Sequence, residues 1–372
     1  MIARLGDVCS KATSNIAQKD LEGREGEYPI YGASGFITNV SFYQQEKPYI
    51  AVVKDGAGIG RIMKLPAKSS VIGTMQYIIP NQNIDISYLA YAMEHMNLAK
   101  YYTGATIPHI YFKDYQKEII HLLPLDKQCL IAAVLNKVSD LIALRKQQLA
   151  KLDELVKSQF VEMFGDPIKN PMGWKMRKLG DLSVQINSGN TPKGGEQVYV
   201  EKGIVFFRSQ NVWKNRLEME DIAYIDKATH QSMRRSSLKR GDILMTKTGR
   251  VNTENSSLGR AALYMGEDDA ANVNGHVYFI RLKPEVNNKF ILRILISDEY
   301  KNYIRSVCVG GIDKRQLNKN HIEDFPIICP SEDMIEQYVL FIEKVDKSKL
   351  TIQQSLDKLE IMKKALMQKY FG

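Results

Sequence analysis

The feature that most constrains this chain is that it repeats itself. Leu5-Gly6-Asp7 recurs 174 positions on as Leu179-Gly180-Asp181. Gly104 and Pro124 recur 206 positions on as Gly310 and Pro330, and Phe164-Gly165 recurs 207 positions on as Phe371-Gly372. The order is kept while the separation grows by 32, so the second copy carries about that many extra residues inside a shared frame. Shared ends with divergent middles predict one scaffold bearing two different recognition surfaces. A chain of 372 residues with 44% hydrophobic content is long enough for two such units, each with its own core.

Each copy closes with a long helical pattern. Ile131, Leu135, Val138, Ile142, Leu149, Leu152, Val156 and Met163 follow steps of four and three, with Arg145 and Gln159 as polar interruptions. Tyr338, Ile342, Val345, Lys349, Ile352, Leu356, Leu359, Lys363, Leu366 and Tyr370 do the same in the second copy. Such steps make a coiled-coil seam, which favours an intramolecular helix pair over two amphipathic helices each lying on its own domain. Neither helix contains Pro or Gly, and Gly165 and Gly372 stand where C-terminal caps belong. Arg145 and Lys349 fall near mid-seam, where a polar residue either fixes register or leaves a solvated gap.

The expected architecture is therefore α+β. Residues 1–124 form a first recognition domain, 125–165 a central long helix, 166–176 a linker, 177–330 a second domain and 331–372 a distal long helix. Pro167 and Pro171 stop the first helix from continuing into the linker. Both domains read as β-rich, with short β-branched and aromatic runs such as PYIAVV, MQYIIP, GDILMT and GHVYFIRL. Each also has one helical stretch, residues 87–102 and 288–306, whose aromatic and aliphatic stripes read as core.

A net charge of +9 points to a polyanionic partner. Base edges are read by Arg, Asn and Gln, and phosphates by Lys, Arg, hydroxyls and backbone amides. Loops that follow apolar strands supply such groups. In the second half they are Arg208, Ser209, Gln210 and Asn211, then Lys247, Thr248, Arg250 and Asn252, then Lys314, Arg315 and Gln316. In the first half, Lys54-Asp55-Gly56 is the counterpart of Lys247-Thr248-Gly249, and Gly60-Arg61 mirrors Gly259-Arg260. Lys54, Arg61, Thr74, Gln76, Thr106 and His109 are the candidates there.

Other chemistries find little support. Gly56-Ala57-Gly58-Ile59-Gly60 lacks the third glycine of a dinucleotide fingerprint and reads as a tight turn. The chain has no Gly-Lys-Ser/Thr phosphate loop, no His-Glu-x-x-His helix and no Pro-Pro pair, so the Pro-Pro-aromatic signature of amino-methyltransferases is absent. Cys9, Cys129, Cys308 and Cys329 are scattered, Cys129 and Cys329 are expected to be buried free thiols, and a reducing cytoplasm follows. The opening residues lack the apolar run of a secretory signal, and no stretch of about 18 apolar residues could span a membrane.

Taken together, these features resemble the specificity subunits of type I restriction-modification systems. The carrying residues are the Leu-Gly-Asp that opens each half, Asn170-Pro171-x-Gly173-Trp174, and Gly241-Asp242-Ile243-Leu244 with Gly249 after it. Thr103-Gly104-Ala105-Thr106-Ile107-Pro108 with Pro124, and the long helices ending in Phe-Gly, complete the set. One departure is Tyr111-Phe112-Lys113, matched in the second half by Leu317-Asn318-Lys319. The resemblance implies that each domain reads one half of a split site in duplex DNA. It implies that the two helices pack antiparallel as a spacer that fixes the unread gap, and that they dock two DNA adenine methyltransferase subunits. Two nuclease-translocase subunits can join as well. The chain itself would hold no catalytic residue, metal or cofactor, with S-adenosylmethionine, ATP and Mg on the partner subunits. A helix from about 126 to 163 would be roughly 55 Å long at about 1.5 Å per residue, which suits half-sites about one helical turn apart. Replacing Arg208 or Gln210 would then alter preference in one half-site only. Two alternatives stand beside this reading: a coiled-coil adaptor with protein partners alone, and the recognition subunit of another restriction class.

Overall fold

The computed structural model describes residues 1–104, 107–253 and 255–372. The chain forms two compact units, Met1–Leu149 with Leu350–Gly372, and Ala150–Lys349.

The first unit is built on a four-stranded antiparallel sheet in the order Cys9–Thr13, Met75–Pro80, Tyr49–Val53, Ile62–Leu65. Tyr49–Val53 is buried along its whole length because both of its faces are covered. Side chains alternate across a strand. Ile50 and Val52 pack with the helix Ile86–His95 and with Ile131 and Leu135 of the first long helix, while Tyr49, Ala51 and Val53 pack with Leu65, Val71 and Tyr77. A small sheet of Glu25–Gly32, Gly35–Val40 and Ser70–Val71 adds to the domain. The helix is shorter than the sequence suggests: it ends at His95, Asn97 turns left-handed at φ 50, and a 3-10 turn covers Leu98–Tyr101.

The second unit repeats this frame with Ser183–Ser188, Val277–Leu282, Ile243–Thr246 and Ala261–Leu263. The repeat extends to single hydrogen bonds. Leu5 N donates to Glu118 O at 2.8 Å, and Leu179 N to Phe325 O at 2.9 Å. Gly60 N donates to Val53 O at 2.8 Å, and Gly259 N to Thr246 O at 3.1 Å. Both glycines sit at positive φ, 79 and 69, where a side chain would be strained, so Gly56–Gly60 is the turn the sequence suggests. The additional length of the second copy lies largely around its small sheet, which has four strands (Tyr199–Val200, Ala223–Ile225, Ile204–Phe207, Ala271–Val273) and a neighbouring hairpin, Val212–Trp213 with Arg216–Leu217. The helical stretch 288–306 is two helices, Asn288–Leu295 and Asp298–Val307. Ser297 breaks it, its Oγ accepting from Tyr300 N at 3.2 Å as an N-cap.

The long helices span Leu125–Phe164 and Glu332–Phe371. Within each unit they run antiparallel. In the first, Lys146 pairs with Glu360 at 2.9 Å and Arg145 Nε donates to Ser355 Oγ at 3.2 Å. In the second, Lys349 pairs with Asp153 at 2.5 Å and the Tyr338 hydroxyl donates to Val156 O at 3.2 Å. The mid-seam intrusions Arg145 and Lys349 therefore bridge the helices. Near its end the first helix departs from the expected seam. Phe160 and Phe164 are buried in place of Gln159 and Met163, and they pack with Phe290 and Tyr338 at ring separations of 5.1 to 6.1 Å. Steps of four replace steps of three and four there because this end of the helix packs at once on its partner, through Tyr338, and on Phe290 of the globular core.

Gly165, at φ 74, ends this helix. The segment after it is a folded turn rather than a loose linker. Asp166 Oδ1 accepts from Ile168 N and Lys169 N, Asn170 brackets Trp174, and Trp174 Nε1 donates to Phe164 O at 3.0 Å. Cys9 and Cys308 are buried and Cys329 half-buried, but Cys129 is exposed, against expectation. The buried face of its helix is set by Ile131 and Leu135, and a residue two positions before Ile131 falls on the opposite side. Among the described residues no helix is long and apolar enough to cross a membrane.

Candidate nucleic-acid interface

In the second unit the buried strand Ile243–Thr246 runs through Lys247 into a second strand, Thr248–Arg250. This pairs with Lys314–Gln316, which pairs in turn with Val309–Gly310. Candidates far apart in sequence thus share one edge: Thr248 lies opposite Gln316, and Arg250 opposite Lys314. Lys247 is pinned by its backbone, its N–H donating to His276 O and its carbonyl accepting from Leu317 N, both at 2.9 Å. Gly249 admits no side chain, because a Cβ there would lie 2.3 Å from Leu258 N. Arg250, Asn252, Lys314 and Gln316 are exposed. Arg250 meets Asp313 at 3.3 Å, whereas Lys314 makes no ion pair among the described residues. Beside this edge, the Arg260 guanidinium lies 3.9 Å from the Trp213 ring centroid, with Arg216 at 5.5 Å. Sequence reading did not bring Trp213 and Arg216 into the site, since no local pattern joins them to Arg260.

The loop after Ile204–Phe207 is more internally occupied than its composition suggests. Asn211 is buried, accepts from Arg208 N at 2.9 Å, and donates to the carbonyls of Glu218 and Asp221. It braces the loop, and its burial takes it off the reading surface. Gln210 and Arg208 both bind the Asp221 carboxylate, at 3.0 Å each, and hold that carboxyl below its usual range. Arg208 also lies over the Tyr199 ring, so its guanidinium is largely enclosed. Ser209 is half-buried and Gln210 exposed.

The first unit places its candidates on the same frame. Lys54 N donates to Thr74 O at 3.0 Å and Lys54 O accepts from Ile110 N at 2.9 Å, as Lys247 does with His276 and Leu317. Ile110, not Tyr111, is therefore the counterpart of Leu317, and the departure at Tyr111-Phe112-Lys113 is a shift of register. Lys54 pairs with Asp55, and Asp55 Oδ1 meets His109 Nδ1 at 2.7 Å. Arg61 donates to Ala33 O at 2.7 Å, and Thr74 is exposed. Gln76 is buried with its Oε1 accepting from Tyr115 OH at 2.7 Å, a core hydrogen bond that removes it from the surface set. Thr106 lies outside the described residues. Among the described residues no group of three or more His, Cys, Asp or Glu is placed to hold a metal ion.

A family model, the type I restriction modification DNA specificity domain, matches residues 1–154 and 171–361, one stretch for each repeat. The type I restriction enzyme MjaIX specificity subunit of Methanocaldococcus jannaschii is 23% identical over 318 residues, covering 78% of this chain and 69% of that protein. A putative MjaX specificity subunit from the same organism is 21% identical over 202 residues, covering 54% of this chain and 46% of its own, so that match spans about half of the relative. The fold is shared with the S subunit of a type I restriction-modification system from M. genitalium, at TM-score 0.64 and 14% identity over 100% of this chain and 96% of that one. A chain from a structure addressing complex assembly and conformational transition of the type I R-M system aligns at TM-score 0.52 and 15% identity, over 100% and 97%.

Proposed function

The chain belongs to the family of type I restriction-modification DNA specificity domains, and from that premise we propose that it is the sequence-reading subunit of such a complex. The observation that carries this reading is a shared frame with unlike side chains. The lysine after the central strand is bonded identically in each half (Lys54 to Ile110, Lys247 to Leu317), while the residues around it differ. Each unit reads one half of a split duplex site. In the second, Thr248, Arg250, Asn252, Lys314, Arg315 and Gln316, with Ser209 and Gln210 nearby, supply the donors and acceptors for bases and phosphates. In the first, Lys54, Arg61, Thr74, Thr106 and His109 do so. The paired helices set the unread gap and dock two adenine methyltransferase subunits, and two nuclease-translocase subunits complete the cutting form. Catalysis, with its S-adenosylmethionine, ATP and Mg, belongs to those partners, and the complex works in the cytoplasm.

Single-molecule mapping of N6-methyladenine tests this in cells with and without the chain, its methyltransferase partner being present in both. A split motif with a fixed gap, vanishing when the chain is removed, is the expected result. An unchanged pattern with an active partner would overturn the reading. A finer test concerns Lys314, which is exposed and free of ion pairs among the described residues. Lys314→Ala is expected to weaken binding on all duplexes alike and to lower the slope of log affinity against log salt by about one, the signature of one lost phosphate contact. A slope that stays the same would place Lys314 off the DNA backbone.

A further inference from the structure

The edge that carries Arg250, Lys314 and Arg315 ends in a tight ribbon, and Ile312 stands at its tip. It is 90% exposed. Nothing about the turn requires an isoleucine, since tips favour Gly, Asn, Asp and Ser and a β-branched residue neither packs nor caps there. The tip is firmly presented. Val251 N donates to Asp313 O at 3.0 Å, the Asp313 carboxylate meets Arg250, and Gly310, at φ 137, lets the ribbon close. Single exposed apolar residues are ordinary on protein surfaces. This one is distinguished by its setting, an apolar tip among the cations of the proposed reading edge. A two-stranded ribbon fits the major groove, and the one methyl group that the four unmodified bases display there is the 5-methyl of thymine.

We propose that Ile312 is a specificity-determining residue that packs against the 5-methyl group of a thymine in the half-site read by the second unit. The proposal rests on the DNA-reading function argued above and adds to it a named base feature and a named side chain. The contact is apolar, so it selects thymine over cytosine without a hydrogen bond and adds no salt dependence of its own.

The test uses the complex of the full chain with its methyltransferase subunits, on duplexes carrying the mapped motif. Each thymine of the second unit's half-site is replaced in turn by deoxyuridine, which lacks only the methyl group. One replacement is expected to weaken wild-type binding by about three- to tenfold. Ile312→Ala should weaken binding to the unmodified duplex by a similar factor and lose all sensitivity to that same replacement. At 90% exposure the substitution removes no packing, and matching thermal unfolding of the two chains checks this. A half-site without thymine, a wild type indifferent to every replacement, or an Ile312→Ala chain that keeps the wild-type sensitivity would each overturn the proposal. Failure of the wild-type complex to prefer any duplex would instead overturn the DNA-reading function beneath it.

Discussion

Asp242→Ala is expected to destabilise the second unit by about 3–5 kcal/mol, the cost of leaving one member of a buried ion pair without its partner. Asp242 is 1% exposed, and Arg281 reaches it with two bonds, Nε to Oδ1 at 2.9 Å and Nη2 to Oδ2 at 2.7 Å. Oδ2 also accepts from Lys239 N at 2.8 Å, which shapes the turn into the central strand. Arg281 donates further to Ser237 O and Gln185 Oε1, so the pair ties the start of the central strand to Val277–Leu282 beside it and, through Gln185, to Ser183–Ser188 beyond. Alanine would leave a guanidinium inside this network with no counter-charge. Asp242→Asn keeps the shape and one acceptor and is expected to cost less, about 1–3 kcal/mol. Chemical denaturation followed on the full chain measures both. A loss below about 1 kcal/mol for Asp242→Ala would mean that the pair is dispensable to this fold.

Seven residues inserted into both long helices, between the ion pairs Lys146–Glu360 and Asp153–Lys349, are expected to abolish methylation at the original site. A heptad preserves the seam, so the helices still pair. At about 1.5 Å per residue it adds roughly 10 Å to each helix, the length of about three base pairs. Half-sites that far out of place are also turned by about a third of a turn around the duplex, so the two units cannot both engage the old site. Any motif still methylated should carry a longer gap between the same two half-sites. Mapping N6-methyladenine with the lengthened chain reads this directly, and full methylation of the original motif would remove the helices from the role of spacer. The same insertion in one helix alone shifts Asp153 away from Lys349 and should lose methylation together with stability.

Much of this molecule is legible along the chain. The duplication, the two long seams with Gly165 as a cap, the run YIAVV as a strand, and the Gly56–Gly60 turn are all local patterns. A seam follows from steps of three and four, and a turn from the conformations only glycine adopts without strain, so neither needs a distant residue to be recognised. The use of each polar side chain is different. Gln76 and Gln210 are the same residue type, the one near the start of the strand Met75–Pro80 and the other in the turn after Ile204–Phe207. Gln76 is buried because Tyr115, 39 positions on, takes its amide, while Gln210 stays exposed on the Asp221 carboxylate. Asn211 is taken up by carbonyls of its own loop, and Arg208 by Asp221 and Tyr199. Likewise, only strand pairing joins Thr248–Arg250 to Lys314–Gln316 and leaves Ile312 at a ribbon tip. Periodicity and turn chemistry thus determined the scaffold, because they act between near neighbours. Tertiary structure decided which polar groups stay exposed and which are buried or braced, because the partners that take them up lie far along the chain.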